Sequence, residues 1–160
     1  TPAMPVLGRV RGTHVFHEFD PAAADEQFPG ILALRLDGGL FFVTADALGD
    51  RIRELGLAAD PPLRAVILDC QGIDLIDSQG AAKLGEFVDL GRERGISFRL
   101  ARVKPAVLEV LERDGVAARL GAEHIHTDVN EAQRAAYEAA WAGGDEEKQS
   151  AMARGFAKAR

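Results

Sequence analysis

The segment from Asp74 to Gly80 carries the polar side chains of this sequence that are best placed for chemistry. It stands between a short apolar run, residues 65–69, and a helical pattern of apolar residues. Asp77 and Ser78 are residue types that begin helices. Because a helix N-terminus presents unpaired N–H groups and a partial positive charge, a phosphate bound there or formed on Ser78 would be stabilised. The alternative is structural: Asp77 or Ser78 caps the helix, and Gly80 allows close packing.

Two common nucleotide sites are excluded by the sequence. A P-loop ends in Gly-Lys-Ser/Thr, and the sequence contains no Gly-Lys pair. A GxGxxG dinucleotide loop is missing as well. Any nucleotide binding would therefore use another kind of site.

Other reactive side chains favour structural interpretations. His124 and His126 share one face of a predicted strand, but a metal site needs a third ligand, so we predict two exposed edge residues and no metal. Cys70 ends an apolar strand and is predicted to be a small core residue. Arg35 and Arg99 lie within strands and are predicted to point to solvent. No constellation of residues requires an enzyme.

The composition predicts one globular domain. The 160 residues are 47% hydrophobic and 28% charged. A net charge of −6, from 19 basic and 25 acidic residues, argues against a nucleic-acid-binding face. A single cysteine excludes an internal disulfide, and no apolar stretch approaches the ~20 residues of a membrane helix. Since the sequence starts at Thr1, we expect a fragment of a longer protein.

Strand and helix patterns alternate from residue 31 onward, which predicts the α/β class. An Asp-Gly turn at 37–38 between two apolar runs predicts a hairpin of strands 31–36 and 40–43. We expect a mixed β-sheet of about five to six strands packed by four to five helices. Further strands are predicted at 65–69, 96–100 and 124–126, and helices at 44–56, 78–95, 105–115 and 128–141.

The Asp-Ser-x-Gly element at 77–80, which follows strand 65–69, resembles the STAS domain (sulfate transporter and anti-sigma factor antagonist). Two further stretches are similar to SulP-type sulfate and anion permeases: residues 7–13, reading Leu-Gly-Arg-Val-Arg-Gly-Thr, and residues 29–42. The resemblance runs from about Leu7 to Trp141. It implies a STAS-like fold.

The resemblance to the permeases also implies a function. The chain would be the cytoplasmic C-terminal domain of a sulfate or anion transporter, located at the cytoplasmic face of the membrane, with no enzymatic activity. Residues 1–13 would be the linker from a missing membrane domain, 14–142 the STAS domain and 143–160 a flexible charged tail. Its expected partners are that membrane domain, other cytoplasmic regulators or a second STAS domain, and no nucleic acid.

The same resemblance implies candidate site residues. Asp74, Asp77, Ser78, Gln79 and Gly80 form a candidate loop for a partner or for weak binding of GTP or ATP, while no cofactor is required. In anti-sigma factor antagonists the Ser after the Asp is phosphorylated, which makes Ser78 the candidate phospho-acceptor. Gln79 departs from their usual Asp-Ser-Ser/Thr-Gly pattern.

A free-standing antagonist of this kind is the alternative function, and a nucleotide-binding module is a third. The segment 7–13 favours the transporter, since a free protein would start near its first strand.

Overall fold

The computed structural model describes residues 3–142, and the predicted tail 143–160 lies outside these described residues. Their elements confirm the α/β class: a four-stranded parallel sheet, a two-stranded antiparallel ribbon and five α-helices. The strands are β1 Leu7–Arg9, β2 Phe16–Glu18, β3 Ile31–Arg35, β4 Ala65–Asp69, β5 Ser97–Ala101 and β6 Ile125–His126. The helices are α1 Phe42–Ala58, α2 Ser78–Glu93, α3 Pro105–Arg113, α4 Val116–Leu120 and α5 Val129–Trp141.

The parallel sheet has the order β3-β4-β5-β6. Its free edge at β3 is covered by the N-terminal segment, because Val6 forms an antiparallel bridge with Leu34 and the Arg35 N–H donates to the Pro5 carbonyl at 3.1 Å. Strand β1 continues this segment and pairs with β2. Residues 7–9, which lie within the predicted linker, are therefore buried in the same folded unit.

The two faces of the sheet carry different side chains because strand residues alternate. Leu34, Leu68 and Leu100 face one core, which is covered by α1 to α4. Ala33 and Ile67 face a second core under α5, where small residues predominate. No helix within residues 3–142 combines the length and the apolar composition that crossing a bilayer requires.

The predicted strand 40–43 is wrong. Leu40 makes only an isolated bridge to Ile76, and α1 begins at Phe42. The Thr44 hydroxyl accepts the N–H of Phe41 at 2.8 Å, which stabilises the start of this helix. Residues 40–43 cannot pair with β3 as a hairpin strand, because both edges of β3 are occupied. Strand β4 pairs on one side and the N-terminal segment on the other.

The predicted exposure of Arg99 and His126 is also wrong, since α5 covers the face on which they lie. Arg99 Nη1 donates to the Glu123 carbonyl and lies 3.1 Å from His126 Nε2. His126 Nδ1 lies 3.3 Å from a Glu131 carboxylate oxygen. Burial lowers the pKa of His126, and the Arg99 charge lowers it further against the opposing effect of Glu131. Cys70 is buried, as predicted.

Candidate functional site

The loops that follow β3, β4 and β5 meet at the carboxyl edge of the parallel sheet. Open α/β sheets bind ligands at this edge. The loop between β4 and α2 brings residues 74 and 77 to this edge, and the first turn of α2 brings residues 78–80. Asp74, Asp77, Ser78 and Gln79 are exposed, and Gly80 is buried.

Asp77 is the N-cap of α2, as the sequence predicts. Its carboxylate Oδ1 accepts the N–H of Gly80 at 2.7 Å. Ser78 is the first helical residue, and its hydroxyl makes no hydrogen bond within the described residues. The Ser78 side chain is exposed, and no base among residues 3–142 is hydrogen-bonded to its hydroxyl.

Gly80 allows α2 to contact the segment 37–41 directly, which confirms its predicted packing role. A Cβ atom at position 80 would lie 2.7 Å from the Leu40 carbonyl carbon and closer still to the oxygen. Two backbone hydrogen bonds join the same segments: the Leu40 N–H donates to Leu75 at 2.9 Å, and the Asp77 N–H donates to Leu40 at 3.4 Å. The candidate loop and the segment 37–41 thus form one surface.

An ion pair between a buried carboxylate and a partly exposed guanidinium lies beside this loop. The Asp69 carboxylate, at the end of β4, accepts hydrogen bonds from Arg102 Nε at 3.0 Å and from Arg102 Nη2 at 2.6 Å. It also accepts the N–H of Gln71 at 3.1 Å. The hydrogen bond to Asp69 raises the pKa of the Arg102 guanidinium. A second ion pair, Lys104 with Asp74, ties the loop to the start of α3.

Large apolar side chains are exposed beside Ser78. Phe41, Phe42, Val43 and Leu75 form what we call the apolar patch, with Val43 76% and Leu75 65% exposed. The Lys83 ammonium lies 5.5 Å from the centre of the Phe42 ring. Monomeric proteins rarely group exposed apolar residues in this way, and such patches mark interaction surfaces. The sequence analysis missed the patch, although its signal was present in the apolar run 40–43.

The described residues do not assemble a metal or thiol centre. No group of three His, Cys, Asp or Glu side chains between residues 3 and 142 is arranged to hold a metal ion. Burial raises the pKa of the Cys70 thiol, which keeps it protonated and unreactive.

Comparison with known proteins identifies the fold. The sequence model of one family, described as STAS domain, matches residues 22–132. Over 140 residues the chain is 28% identical to "Probable sulfate transporter 4.2" of Arabidopsis thaliana. That match covers 82% of this chain and 21% of the relative, so the chain spans about a fifth of the relative's length.

Solved structures agree with the family match. The murine solute carrier 26 family member A9 anion transporter, in its inward-facing state, superposes with a TM-score of 0.71 at 17% identity, over 85% of this chain and 22% of that one. A sulfate transporter family protein from Wolinella succinogenes superposes with a TM-score of 0.59 at 26% identity. The second match covers 74% of this chain and 95% of that one.

Proposed function

This chain belongs to the STAS domain family, and from that membership we propose that it is the cytoplasmic C-terminal domain of a SulP-type sulfate or anion transporter. One observation carries the proposal: the matched sulfate transporter aligns with 82% of this chain, which corresponds to only 21% of the transporter. Such a domain regulates or assembles the transporter through protein contacts. It performs no chemistry on the transported anion.

The identity of the intact protein is tested by an antibody to this domain on fractionated cells of the source organism. We expect a membrane-bound band longer than these 160 residues by many spans of ~20 residues each. A soluble band of the size of this chain would contradict the proposal. It would favour the alternative, a free-standing anti-sigma factor antagonist switched at Ser78.

The apolar patch suggests how the domain contacts its partner. Phe42 and Leu75 come from two segments that the Leu40–Leu75 hydrogen bond holds together, so the patch is preformed. We place the cytoplasmic surface of the transporter's own membrane domain on this patch. A phosphate on Ser78 would add about 1.5–2 negative charges close to the Asp74 and Asp77 carboxylates, which disfavours burial of the adjoining apolar surface.

Substitution of the patch is expected to weaken docking. In the full-length transporter, Leu75→Asp or Phe42→Asp should lower cross-linking between this domain and the membrane domain about tenfold or more, since each change removes an apolar side chain whose burial in the interface would contribute about 1.5–3 kcal/mol. Ser78→Glu should act in the same direction, and Ser78→Ala should leave cross-linking unchanged. Anion uptake by proteoliposomes should change in parallel.

The matched control is Leu57→Asp. Leu57 is 86% exposed and lies in the same helix, α1, but 15 residues from Phe42, about 22 Å along the helix axis. An equal loss of cross-linking for all three aspartate substitutions would show that the apolar patch is not part of the interface. If neither Ser78→Glu nor Ser78→Ala changes anion uptake, Ser78 does not regulate transport.

Weak binding of GTP or ATP at the loop of Asp74, Asp77, Ser78, Gln79 and Gly80 remains a secondary proposal. The α2 N-terminus supports it. The Asp77 carboxylate opposes tight binding, because it already accepts the Gly80 N–H and places a negative charge where a phosphate would lie. Other cytoplasmic regulators and a second STAS domain are also secondary proposals, as partners of this domain.

A further inference from the structure

A second surface lies at the opposite edge of the sheet, where the C-terminal halves of α1 and α2 diverge. They leave a groove with a cavity of about 340 Å³, which is at the small end of the range for ligand pockets, about 300–1,000 Å³. Its lining is mainly apolar: Val66 and Phe98 form part of the sheet face, and Ile52, Leu63, Phe87 and Leu90 come from the surrounding helices and loop.

Gly56 leaves part of this groove open, whereas a Cβ atom at Gly91 would lie 2.7 Å from the Ile96 carbonyl oxygen. Gly56 on α1 and Gly91 on α2 both line it. A Cβ atom at position 56 would meet only Leu63 Cδ1, at 3.5 Å, which is an ordinary van der Waals contact. The groove can therefore accept a side chain, or an apolar ligand of similar width, next to Gly56.

Two arginines flank the apolar lining, and no acidic residue is part of it. Arg94, which follows the end of α2, is exposed, and its guanidinium forms no ion pair within the described residues. Arg53 pairs with Asp50 at 2.8 Å, and both side chains are largely exposed. Since Asp50 offsets the Arg53 charge, Arg94 is the cation of the lining that is left to balance the partial negative charge of the C-terminal carbonyls of α1 and α2.

We propose that this groove binds the anion of a medium-chain fatty acid, with the alkyl chain between α1 and α2 and the carboxylate at Arg94. The apolar lining matches the alkyl chain, and the Arg94 guanidinium matches the carboxylate. Ser78 and the apolar patch lie at the other end of α2, so this binding is independent of the function proposed above.

Calorimetric titration of the purified chain with hexanoate, octanoate and decanoate, each below its micelle-forming concentration, tests the proposal. The Kd should fall about fourfold per added methylene, or about sixteenfold per two-carbon step, until the chain fills the groove. Octanol should bind about two- to fivefold more weakly than octanoate, because it lacks the charge that Arg94 recognises.

Two variants, each with a matched control, locate the site. Gly56→Leu should abolish decanoate binding while the fold is kept, since Leu is a better helix former than Gly. Ala58→Leu adds the same side chain to an exposed position outside the groove and should bind normally. Arg94→Gln should raise the Kd about two- to fivefold, whereas Arg51→Gln, outside the lining, should not.

Three results would overturn the proposal: no saturable decanoate binding at millimolar concentration, an affinity independent of chain length, or equal binding by Gly56→Leu and Ala58→Leu. Thermal denaturation of each variant shows whether a loss of binding comes from unfolding. Arg94→Gln remains a test even if Gly56→Leu unfolds, because Arg94 makes no ion pair in the described structure.

Discussion

Replacing Gly80 with alanine is expected to lower the free energy of unfolding by about 2–3 kcal/mol, although alanine is the better helix former by about 1 kcal/mol. The added Cβ atom would lie 2.7 Å from the Leu40 carbonyl carbon and closer to its oxygen. Both atoms belong to the backbone, so no rotamer change relieves the contact. The first turn of α2 would have to move away from the segment 37–41 and would carry Ser78 with it.

Urea denaturation followed by circular dichroism measures this effect, and Gly56→Ala is the matched control. Gly56 also lies within a helix, but the nearest atom to its added Cβ is 3.5 Å away. This variant should gain about 0.5–1 kcal/mol of stability. Equal gains at both positions would show that α2 does not approach Leu40 as closely as the structure has it.

Arg102→Met is expected to cost about 2–3 kcal/mol of stability, which is less than the cost of breaking a fully buried ion pair because the Arg102 side chain is partly exposed. The Asp69 side chain is only 2% exposed, and Arg102 supplies two of its hydrogen bonds. Without the guanidinium, the Asp69 carboxylate stays buried with the Gln71 N–H as its remaining described donor. Arg102 also has a φ of 55°, in the left-handed region that residues other than glycine rarely adopt.

The control is Arg35→Met, because Arg35 pairs with Asp37 at 3.0 Å but both side chains are partly exposed. It should cost about 0–1 kcal/mol. The same urea experiment distinguishes the two variants. A cost for Arg102→Met no greater than that for Arg35→Met would mean that the Asp69 pair does not support the site loop.

Helix starts are the features that the sequence predicted best. Asp77 caps α2 as expected, and the Asp128 carboxylate accepts the Glu131 N–H at 2.8 Å at the start of α5. Helix α3 begins at Pro105, also as predicted. These signals are local, because a cap and its partner are separated by only three residues. Neither tertiary packing nor a remote segment is needed to satisfy them.

Hydrophobic patterning predicted the central strands but failed where packing determines the outcome. An apolar run such as 40–43 suits a strand or a helix that exposes part of its surface, and the occupied edges of β3 leave only the helix. Arg99 and His126 interrupt apolar strands in the way that solvent-facing residues do. They are buried because α5, which starts after both of them in the chain, packs over their face.

The sequence by itself determined the α/β class, the Asp-Ser-Gln-Gly motif at 77–80 and its place at a helix start, because these depend on neighbouring residues. Tertiary structure alone brought Leu75 next to the segment 37–41, paired Asp69 with Arg102 and opened the groove between α1 and α2. Those contacts join residues about 30 or more positions apart. Their formation depends on how the helices pack on the sheet, which no local pattern of residue types encodes.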